Sequence, residues 1–263
     1  MGKVVAFSNQ KGGVGKTTTC VNMSAYLASK GKKVLIVDLD PQGNATTGLG
    51  FAKSDVKQSV YNVLIDETPV ENVALKTQVE NLDLLPSNID LAGAEVELVY
   101  VKDRERVLKK VVAKIRDYYD FITIDCPPSL GLLTINALAA ADTAIIPIQS
   151  EYYAMEGLSQ LMNTIKLVVK HLNDKLKIEG VVLTMNDNRA TISKQISAEI
   201  RRDFGKRVRH GDPAEYPLSG GAQPRRAHHA ARRALFGRAG VSAFDRRISR
   251  AAVRIKCKRE KYG

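Results

Sequence analysis

The sequence is short of cysteine and has no long apolar run, and each shortage narrows the possible classes of protein. Its three cysteines, Cys20, Cys126 and Cys257, are an odd number at wide spacing, which argues against a disulfide framework and against a paired-cysteine metal site. No apolar run reaches the roughly 18 residues expected of a membrane span, and the first residues show no basic segment or cleavage site of a secretory signal. We therefore expect a cytoplasmic protein with no membrane partner.

Positive charge is concentrated in the last part of the chain. The formal net charge is +12. Residues 209–263 hold 11 Arg and 3 Lys against 4 acidic residues, whereas residues 1–208 hold 26 basic and 24 acidic residues. Three of the four histidines also lie after residue 208. Such a change in composition marks a boundary, so we predict one globular domain over 1–208 and an atypical basic segment over 209–263.

Short apolar runs alternate with segments of helical periodicity along the first 208 residues. Runs of this kind indicate strands buried on both faces, and their alternation with helices indicates right-handed crossovers between parallel strands. The predicted fold class is α/β, with a mostly parallel sheet and helices on both faces. The predicted strands are residues 3–8, 33–38, 81–86, 121–126, 143–148 and 180–185.

The segment between the first predicted strand and the first predicted helix has the composition of a phosphate-binding loop. It reads NQKGGVGKTTT over residues 9–19, and its glycines allow backbone N–H groups to turn inward around phosphate oxygens. Lys16 supplies positive charge for the β- and γ-phosphates, and the Thr17 hydroxyl is a ligand for Mg²⁺. The fold is therefore expected to be P-loop NTPase-like. The residues predicted to bind a nucleotide here are Gly12, Gly13, Val14, Gly15, Lys16, Thr17 and Thr18.

Aspartates stand at the carboxyl ends of two predicted strands. Asp38 and Asp40 end the run VLIVDLD, and alternation along a strand points both side chains to one face. Asp125 ends the run FITID, where a carboxylate is expected to bind Mg²⁺ through water. Aspartates at strand ends also cap helices or turns. Each motif alone is therefore weak evidence for a metal site, and the phosphate-binding loop that precedes it strengthens this interpretation.

Five motifs, in order over residues 1–208, resemble the ParA/Soj family of chromosome-partitioning ATPases within the ParA/MinD superfamily. They are KGGVGKT, DLDPQGNATTGLG, NLDLLPSNIDLAGAE, DYYDFITIDCPPSLGLLTINAL and PIQSEYYAMEGLSQLMNT. Lys11, directly before Gly12, resembles the signature lysine of the deviant Walker A motif, which reaches the partner's nucleotide across a dimer interface. The resemblance implies slow hydrolysis of ATP with Mg²⁺ in a homodimer that forms on ATP binding. It assigns catalysis to Lys11 and Asp40, adds Lys11 to the nucleotide site, and assigns the metal to Thr17, Asp38 and Asp125.

The same resemblance implies two macromolecular partners: DNA bound without sequence preference, and a ParB-type (Spo0J-like) centromere-binding protein that stimulates hydrolysis, in the bacterial cytoplasm at the nucleoid. Little sequence precedes the phosphate loop, so no helix-turn-helix domain is expected there and the ATPase surface itself must contact DNA. The predicted DNA contacts are Arg189, Lys194, Arg201 and Arg202, and a solvated helix face is the alternative for each. Thr184, Met185 and Asn186 are placed near the adenine by analogy with the fold.

After residue 208 the sequence leaves the family pattern, which continues as TVIPRNxRLxEAPSxG. Permitted synonymous codons for residues 210–225, translated from the second nucleotide of the His210 codon, give T-V-I-P-R-N-I-R-S-A-E-A-P-S-H-G. We therefore hypothesise that the chain from about residue 209 is out of frame, through a mutation or a sequencing error, and poorly ordered. A genuine basic arm that binds DNA is the alternative. Because the frame change removes the last strand and the closing helix of the family, we expect a destabilised or poorly active protein.

Other classes of protein share the phosphate-binding loop. A membrane-positioning ATPase like MinD needs a C-terminal amphipathic helix with a bulky apolar face, which IKCKREKYG lacks. An iron-protein-type reductase needs cysteines that bridge a cluster between subunits, and Cys126 on a buried strand is better explained as a small core residue. An ATP-binding but inactive frameshifted product stays open, because motifs indicate the capacity for chemistry and not its rate.

Overall fold

The computed structural model describes residues 1–149, 154–185, 196, 198–200, 202, 204 and 208–210. All of them belong to the first of the two units into which the chain divides, Met1–Tyr216. Within this described part, eight strands form one sheet in the order β3-β4-β2-β5-β1-β6-β7-β8. The strands are β1 Lys3–Phe7, β2 Val34–Asp38, β3 Leu75–Lys76, β4 Leu82–Leu85, β5 Phe121–Asp125, β6 Thr143–Gln149, β7 Lys177–Thr184 and β8 Val208–His210.

Helices connect most of these strands. The α-helices are α1 Lys16–Ser29, α2 Asn44–Gly48, α3 Val60–Leu64, α4 Val70–Val73, α5 Leu91–Glu97, α6 Val107–Ile115, α7 Leu132–Ala140 and α8 Ala154–His171. Residues 196, 198–200, 202 and 204 are also helical. None of the helices in the ranges given above is long and apolar enough to cross a bilayer.

Seven strands run parallel, and β3 alone in the described sheet pairs antiparallel, with β4. Strands of a parallel sheet are covered on both faces and are therefore apolar on both sides. Every residue of β2 is buried, and four of the five residues of β5 are buried. The predicted α/β class with a mostly parallel sheet is confirmed.

The phosphate-binding loop follows a central strand. β1 lies between β5 and β6, so the chain adds strands on one side of β1 first and on the other side later. At such a reversal the crossovers on the two sides diverge, which opens a crevice at the carboxyl ends of the strands. Because the strands are parallel, the loop after β1 and the aspartates at the ends of β2 and β5 share this edge.

The helices pack on the sheet through narrow apolar faces. α8 buries Leu158, Leu161, Ile165 and Val168, whose spacings of three, four and three residues place them on one helix face. α7 is instead buried on nearly all sides, and the amide of its Asn136 accepts the Leu108 N–H at 3.1 Å. These helices and the strands form one apolar cluster, which holds the sheet edge rigid behind the loop.

The structure differs from the sequence predictions at the ends of the sheet. The two-residue strand β3 was not predicted, since it is too short to show periodicity. The strand predicted over 180–185 begins earlier, at Lys177, and ends at Thr184. β8 pairs in parallel with β7, so the boundary predicted after residue 208 falls inside this strand. The rest of the predicted segment 209–263 lies outside the described residues.

Candidate functional site

The loop between β1 and α1 has a backbone that glycine alone adopts readily. Gly13 and Gly15 have φ angles of 75° and 80°, in the left-handed region that side chains disfavour. A Cβ added at Gly13 meets no atom within 4 Å, so open space adjoins the loop there. α1 begins directly after Gly15, and the N–H groups of its first turn lack intrahelical acceptors. Together these features favour binding of an anion such as phosphate.

The start of the loop is fixed to the neighbouring strand β6. The Asn9 amide donates through Nδ2 to the Pro147 carbonyl at 2.6 Å, and its Oδ1 accepts the Lys11 N–H at 3.0 Å. The Ser8 N–H donates to the Ile145 carbonyl at 3.1 Å. Asn9 is buried, and its two side-chain hydrogen bonds connect the loop to the sheet.

Lys16 lies beneath the loop and not in solvent. The residue is 6% exposed, and its Nζ donates to the Lys11 carbonyl at 2.8 Å. Burial lowers the pKa of Lys16, while Asp125, Cys126 and Asp40 oppose the shift through charge. The loop lysine and the strand-end aspartates are thus brought into one site.

Asp38 and Asp125 are direct neighbours on adjacent strands. They are paired in the register of β2 and β5, and both are fully buried. Burial raises the pKa of Asp125 to about 8, and the charge of Asp38 adds to this shift. Burial also raises the pKa of Asp38 to about 6, against the hydrogen bonds that it receives. A cation beside this pair would favour the ionised form of both carboxyl groups.

Asp125 has the features of a ligand to a cation. Both of its carboxylate oxygens are buried without a hydrogen-bond partner among the residues that the structure describes. The Thr17 hydroxyl lowers the pKa of this carboxyl group without reaching hydrogen-bond geometry. A buried carboxylate is costly unless a cation or donors satisfy it, so Asp125 and Thr17 fit a metal site.

The ligand set suits Mg²⁺ better than a transition metal. Within the described ranges, no three His, Cys, Asp or Glu side chains are grouped as metal ligands. Mg²⁺ requires no such cage, because it keeps several waters and takes one or two carboxylates together with phosphate oxygens. The site therefore fits magnesium only in company with a phosphate ligand.

Asp38 and Asp40 differ from Asp125 in that protein donors already engage them. Asp38 Oδ2 accepts the Thr46 N–H at 2.8 Å and the Thr46 hydroxyl at 2.7 Å. Asp40 is 6% exposed, and its Oδ1 accepts the Gln42 N–H at 2.9 Å. The structure thus places Asp38 beside Asp125 but directs its carboxylate toward Thr46.

The carboxyl end of β7 contacts the loop through one hydroxyl. Thr184 Oγ1 donates to the Val14 carbonyl at 2.8 Å, and a Cβ on Gly15 would lie 3.4 Å from Thr184 Cγ2. Met185 follows with a φ of 48° and a half-exposed side chain. Met185 therefore borders the loop region, whereas Asn186 lies outside the described residues.

The predicted DNA contacts fall almost wholly outside the described residues. Arg189, Lys194 and Arg201 lie there. Arg202 is described and exposed, with its guanidinium 3.7 Å from the Glu199 carboxylate one helical turn earlier.

Sequence reasoning missed two residues of the site, Asn9 and Thr46, and it did not predict the bond from Thr184 to the loop. The partners of Thr46 and Thr184 lie 8 and 170 residues away along the chain, so no local pattern marks them. Asn9 alone carried a signal, since it directly follows the strand that leads into the glycine-rich loop. Its bond to Pro147 nevertheless depends on the packing of β6 beside β1.

A glycine-rich loop on the central strand, a buried lysine and strand-end aspartates define a P-loop nucleotide-binding protein. Comparison with known proteins agrees with this class: the AAA_31 family, described as an AAA domain, matches residues 2–178. The sporulation initiation inhibitor protein Soj of Bacillus subtilis is 58% identical over 208 residues, which cover 79% of this chain and 82% of that protein. The chromosome partitioning protein ParA of Myxococcus xanthus is 50% identical over 208 residues, 79% of this chain and 74% of that protein. The chain belongs to the ParA/Soj family of chromosome-partitioning ATPases.

A solved structure extends the likeness to the three-dimensional fold. Cobyrinic acid a,c-diamide synthase from Mycobacterium smegmatis, with bound ADP and magnesium, superposes with a TM-score of 0.75 at 38% identity. The match covers 90% of this chain and 95% of that one. The predicted P-loop NTPase-like fold is therefore confirmed.

Proposed function

We propose that this protein is a slow ATPase that converts ATP to ADP and phosphate, and that it partitions DNA through a cycle of dimerisation and release. The observation that carries the proposal is the position of Lys16. Its buried ammonium is bonded to the Lys11 carbonyl and lies within the electrostatic reach of Asp125 and Asp40. Phosphoryl transfer requires a cation, a metal-binding carboxylate and a second carboxylate at a phosphate loop.

The loop and the end of β7 are proposed to bind the nucleotide. Backbone N–H groups of the loop cradle the phosphates, and Lys16 exchanges its carbonyl partner for a phosphate oxygen. The contact between Thr184 and Val14 supports the position of the adenine side beside Met185 and Asn186. The proposed nucleotide site comprises Lys11, Gly12, Gly13, Val14, Gly15, Lys16, Thr17, Thr18, Met185 and Asn186.

Thr17 and Asp125 are proposed to hold magnesium together with the phosphates. When bound, Mg²⁺ neutralises negative charge on the transferring phosphoryl group. The unpartnered oxygens of Asp125 and the ADP and magnesium in the Mycobacterium smegmatis relative support this assignment. Asp38, which is engaged by Thr46, is proposed to act on the metal site from beside Asp125 as a fixed negative charge.

Asp40 is proposed to orient the water that attacks the terminal phosphate. Two local bonds hold its backbone: its N–H donates to Asp38 Oδ1 at 3.3 Å, and its carbonyl accepts the Gly43 N–H at 2.8 Å. A third bond holds its side chain, because its Oδ1 accepts the Gln42 N–H. A carboxylate fixed in this way can accept a hydrogen bond from a water in line with the leaving group.

Lys11 is proposed to act in trans in a homodimer that ATP closes. Its backbone is part of the loop that contacts Lys16, so its side chain starts from the rim of the phosphate site. A cation supplied across an interface stabilises charge on the transferring phosphoryl group and makes hydrolysis depend on dimerisation.

DNA and a ParB-type centromere-binding protein are the proposed partners, with action in the bacterial cytoplasm at the nucleoid. The 58% identity to Soj and the 50% identity to a chromosome-partitioning ParA support both partners. The proposed contacts to DNA phosphates are made by Arg189, Lys194, Arg201 and Arg202. Contacts to phosphates carry no sequence information, so they explain binding without sequence preference.

The segment after residue 208 is proposed to be out of frame. The shift from lysine to arginine usage and the return of the family motif in the shifted frame support this proposal. Resequencing of codons 205–230 that reproduces the present frame would exclude a sequencing error. A genuine mutation in the gene would then be the remaining origin of the frame change.

The test of the function is ATP turnover by the purified chain and by a chain restored to the shifted frame from residue 209, each measured alone, with DNA, with a cognate ParB-type protein, and with both. In the restored chain we expect slow turnover that rises with both additions and with protein concentration, because a dimer is the active species, and we expect the present chain to be much less active. Lys11→Ala should lose this stimulation, whereas Lys114→Ala, at an exposed lysine of α6, should keep it. Turnover that is independent of protein concentration and unchanged in Lys11→Ala would contradict the proposed mechanism.

A further inference from the structure

Thr46 occupies a buried junction between three parts of the fold. It lies in the first turn of α2 and is fully buried, although α2 is a short surface helix in which Asn44, Thr47 and Gly48 are exposed. Burial of a hydroxyl group costs free energy unless hydrogen-bond partners replace water. Those partners identify what Thr46 does.

Thr46 binds the carboxylate of Asp38 twice. Its backbone N–H and its hydroxyl both donate to Asp38 Oδ2, at 2.8 Å and 2.7 Å. Hydrogen bonds to an ionised carboxylate are about twice as strong as bonds between neutral groups. The two bonds close a loop that starts at the end of β2 and returns to it through α2.

Asp40 lies inside this closed loop. Its N–H donates to Asp38 Oδ1 at 3.3 Å, so the two oxygens of one carboxylate hold Asp40 on one side and Thr46 on the other. Asp38 itself is fixed in the sheet next to Asp125. The position of Asp40 relative to Asp125 therefore depends on the orientation of the Asp38 carboxylate, which Thr46 sets.

A third contact ties the junction to β4. The Thr46 hydroxyl accepts the Ser87 N–H at 3.0 Å, and Ser87 follows β4 after one intervening residue. The hydroxyl thus donates once and accepts once, which uses its proton and one lone pair. A methyl group in its place can neither donate nor accept a hydrogen bond. Valine therefore keeps the shape of threonine but loses both hydrogen bonds.

We infer that Thr46 is a positioning residue for hydrolysis: through Asp38 it fixes the loop that carries Asp40, without contact to the nucleotide. The inference rests on the proposed ATPase function and on the proposed role of Asp40. It predicts an effect on the chemical step that is separate from nucleotide binding, because the phosphate loop does not contact Thr46 through any of the bonds described.

The experiment makes four variants in the present full chain and in the chain restored to the shifted frame from residue 209, and compares them in steady-state ATP turnover and in equilibrium binding of ATP. Thr46→Val should lower kcat about 10- to 100-fold, since a small misplacement of a reacting group costs that much, while ATP affinity stays within about twofold. Thr46→Ser keeps the hydroxyl and should restore most of the rate. Thr47→Val is the matched control, because within the described part of the chain the exposed Thr47 hydroxyl bonds only to carbonyls of its own helix region, at Gly43 and Asn44. Asp40→Asn should abolish hydrolysis.

Each failure has a distinct meaning. Full activity in Thr46→Val beside an inactive Asp40→Asn overturns the positioning role alone, and full activity in Asp40→Asn overturns the proposed function of Asp40. Equal losses in Thr46→Ser and Thr46→Val, or a loss of ATP affinity that matches the loss of kcat, also overturn the inference. If Thr46→Val does not fold, Thr46→Ala removes the hydroxyl without placing a methyl group against the Ser87 N–H. Failure of both variants to fold assigns Thr46 a structural role only.

Discussion

Among single residues, Asp125 combines complete burial with two oxygens that lack donors in the residues described. Its carboxyl pKa of about 8 lies above the ordinary value of an aspartate, which is near 3.9 in an unfolded chain. The folded protein therefore binds this proton more tightly than the unfolded protein does. As pH rises between these two values, the free energy of unfolding falls, because the unfolded chain gives up this proton freely while burial keeps the folded carboxyl group protonated.

Asp125→Asn should remove this dependence in metal-free protein. We expect the variant to exceed the parent in free energy of unfolding by an amount that grows from pH 4 to pH 8 and reaches about 1 to 3 kcal/mol. Urea unfolding at several pH values in the presence of a chelator measures it. Asp174→Asn, at an exposed aspartate, is the control and should follow the parent curve. A difference that stays constant across this pH range would show that ionisation of Asp125 is not its source.

Among the elements, β7 and the phosphate loop are joined by the bond from the Thr184 hydroxyl to the Val14 carbonyl. Both ends of this bond are buried. Val14 lies between Gly13 and Gly15, whose left-handed backbone depends on local contacts to keep one shape. The end of β7 therefore restrains the loop from a part of the sequence 170 residues away.

Thr184→Val should weaken nucleotide binding, since it leaves the Val14 carbonyl without its donor at a cost of about 1 to 3 kcal/mol. We expect the dissociation constant for ATP to rise about 5- to 100-fold, with the larger part of the effect on binding and the smaller on kcat. Titration with a fluorescent ATP analogue measures the change. Thr143→Val is the matched control on β6, because the Thr143 hydroxyl is buried without a partner in the described chain. That variant should bind ATP normally and be as stable as the parent or more stable. Equal affinities in both variants would assign the Thr184 bond no role in the loop.

The main elements were open to prediction, and the contacts between them were not. Unbroken apolar runs identified β1, β2 and β5, and glycine spacing identified the loop, because local composition determines both. Asp38 and Asp125 were placed at one edge by the parallel arrangement alone. The engagement of Asp38 by Thr46 could not be predicted, since it depends on how α2 folds back on β2. The same holds for Thr184, whose partner is set by the order of strands and not by neighbouring residues.

For the whole molecule, DNA binding is expected to depend on salt through the number of phosphates contacted. In the ATP-bound state, Arg189→Ala should weaken binding to unrelated DNA sequences to the same extent. Because a dimer carries two copies of the residue, the slope of log affinity against log salt should become less steep by about 2. Fluorescence anisotropy at several salt concentrations measures the slope, with Lys114→Ala as the control. An unchanged slope would place Arg189 away from the DNA.

The C-terminal segment can be tested at the same scale by restoring the shifted frame from residue 209 onward. We expect the restored chain to hydrolyse ATP with stimulation by DNA and a ParB-type protein, and the present chain to be much less active. A gain of about 2 kcal/mol in stability would raise the unfolding midpoint by about 4 to 8 °C. Equal activity and equal midpoints of the two chains would show that the present segment is tolerated or functional.

The bond from the Lys16 ammonium to the Lys11 carbonyl gives the protein an internal competitor for its own nucleotide. A phosphate that captures the ammonium releases the carbonyl of the very residue proposed to reach a second subunit. In the proposed mechanism, nucleotide binding and the release of the Lys11 backbone therefore form one exchange, which departure of the nucleotide would reverse.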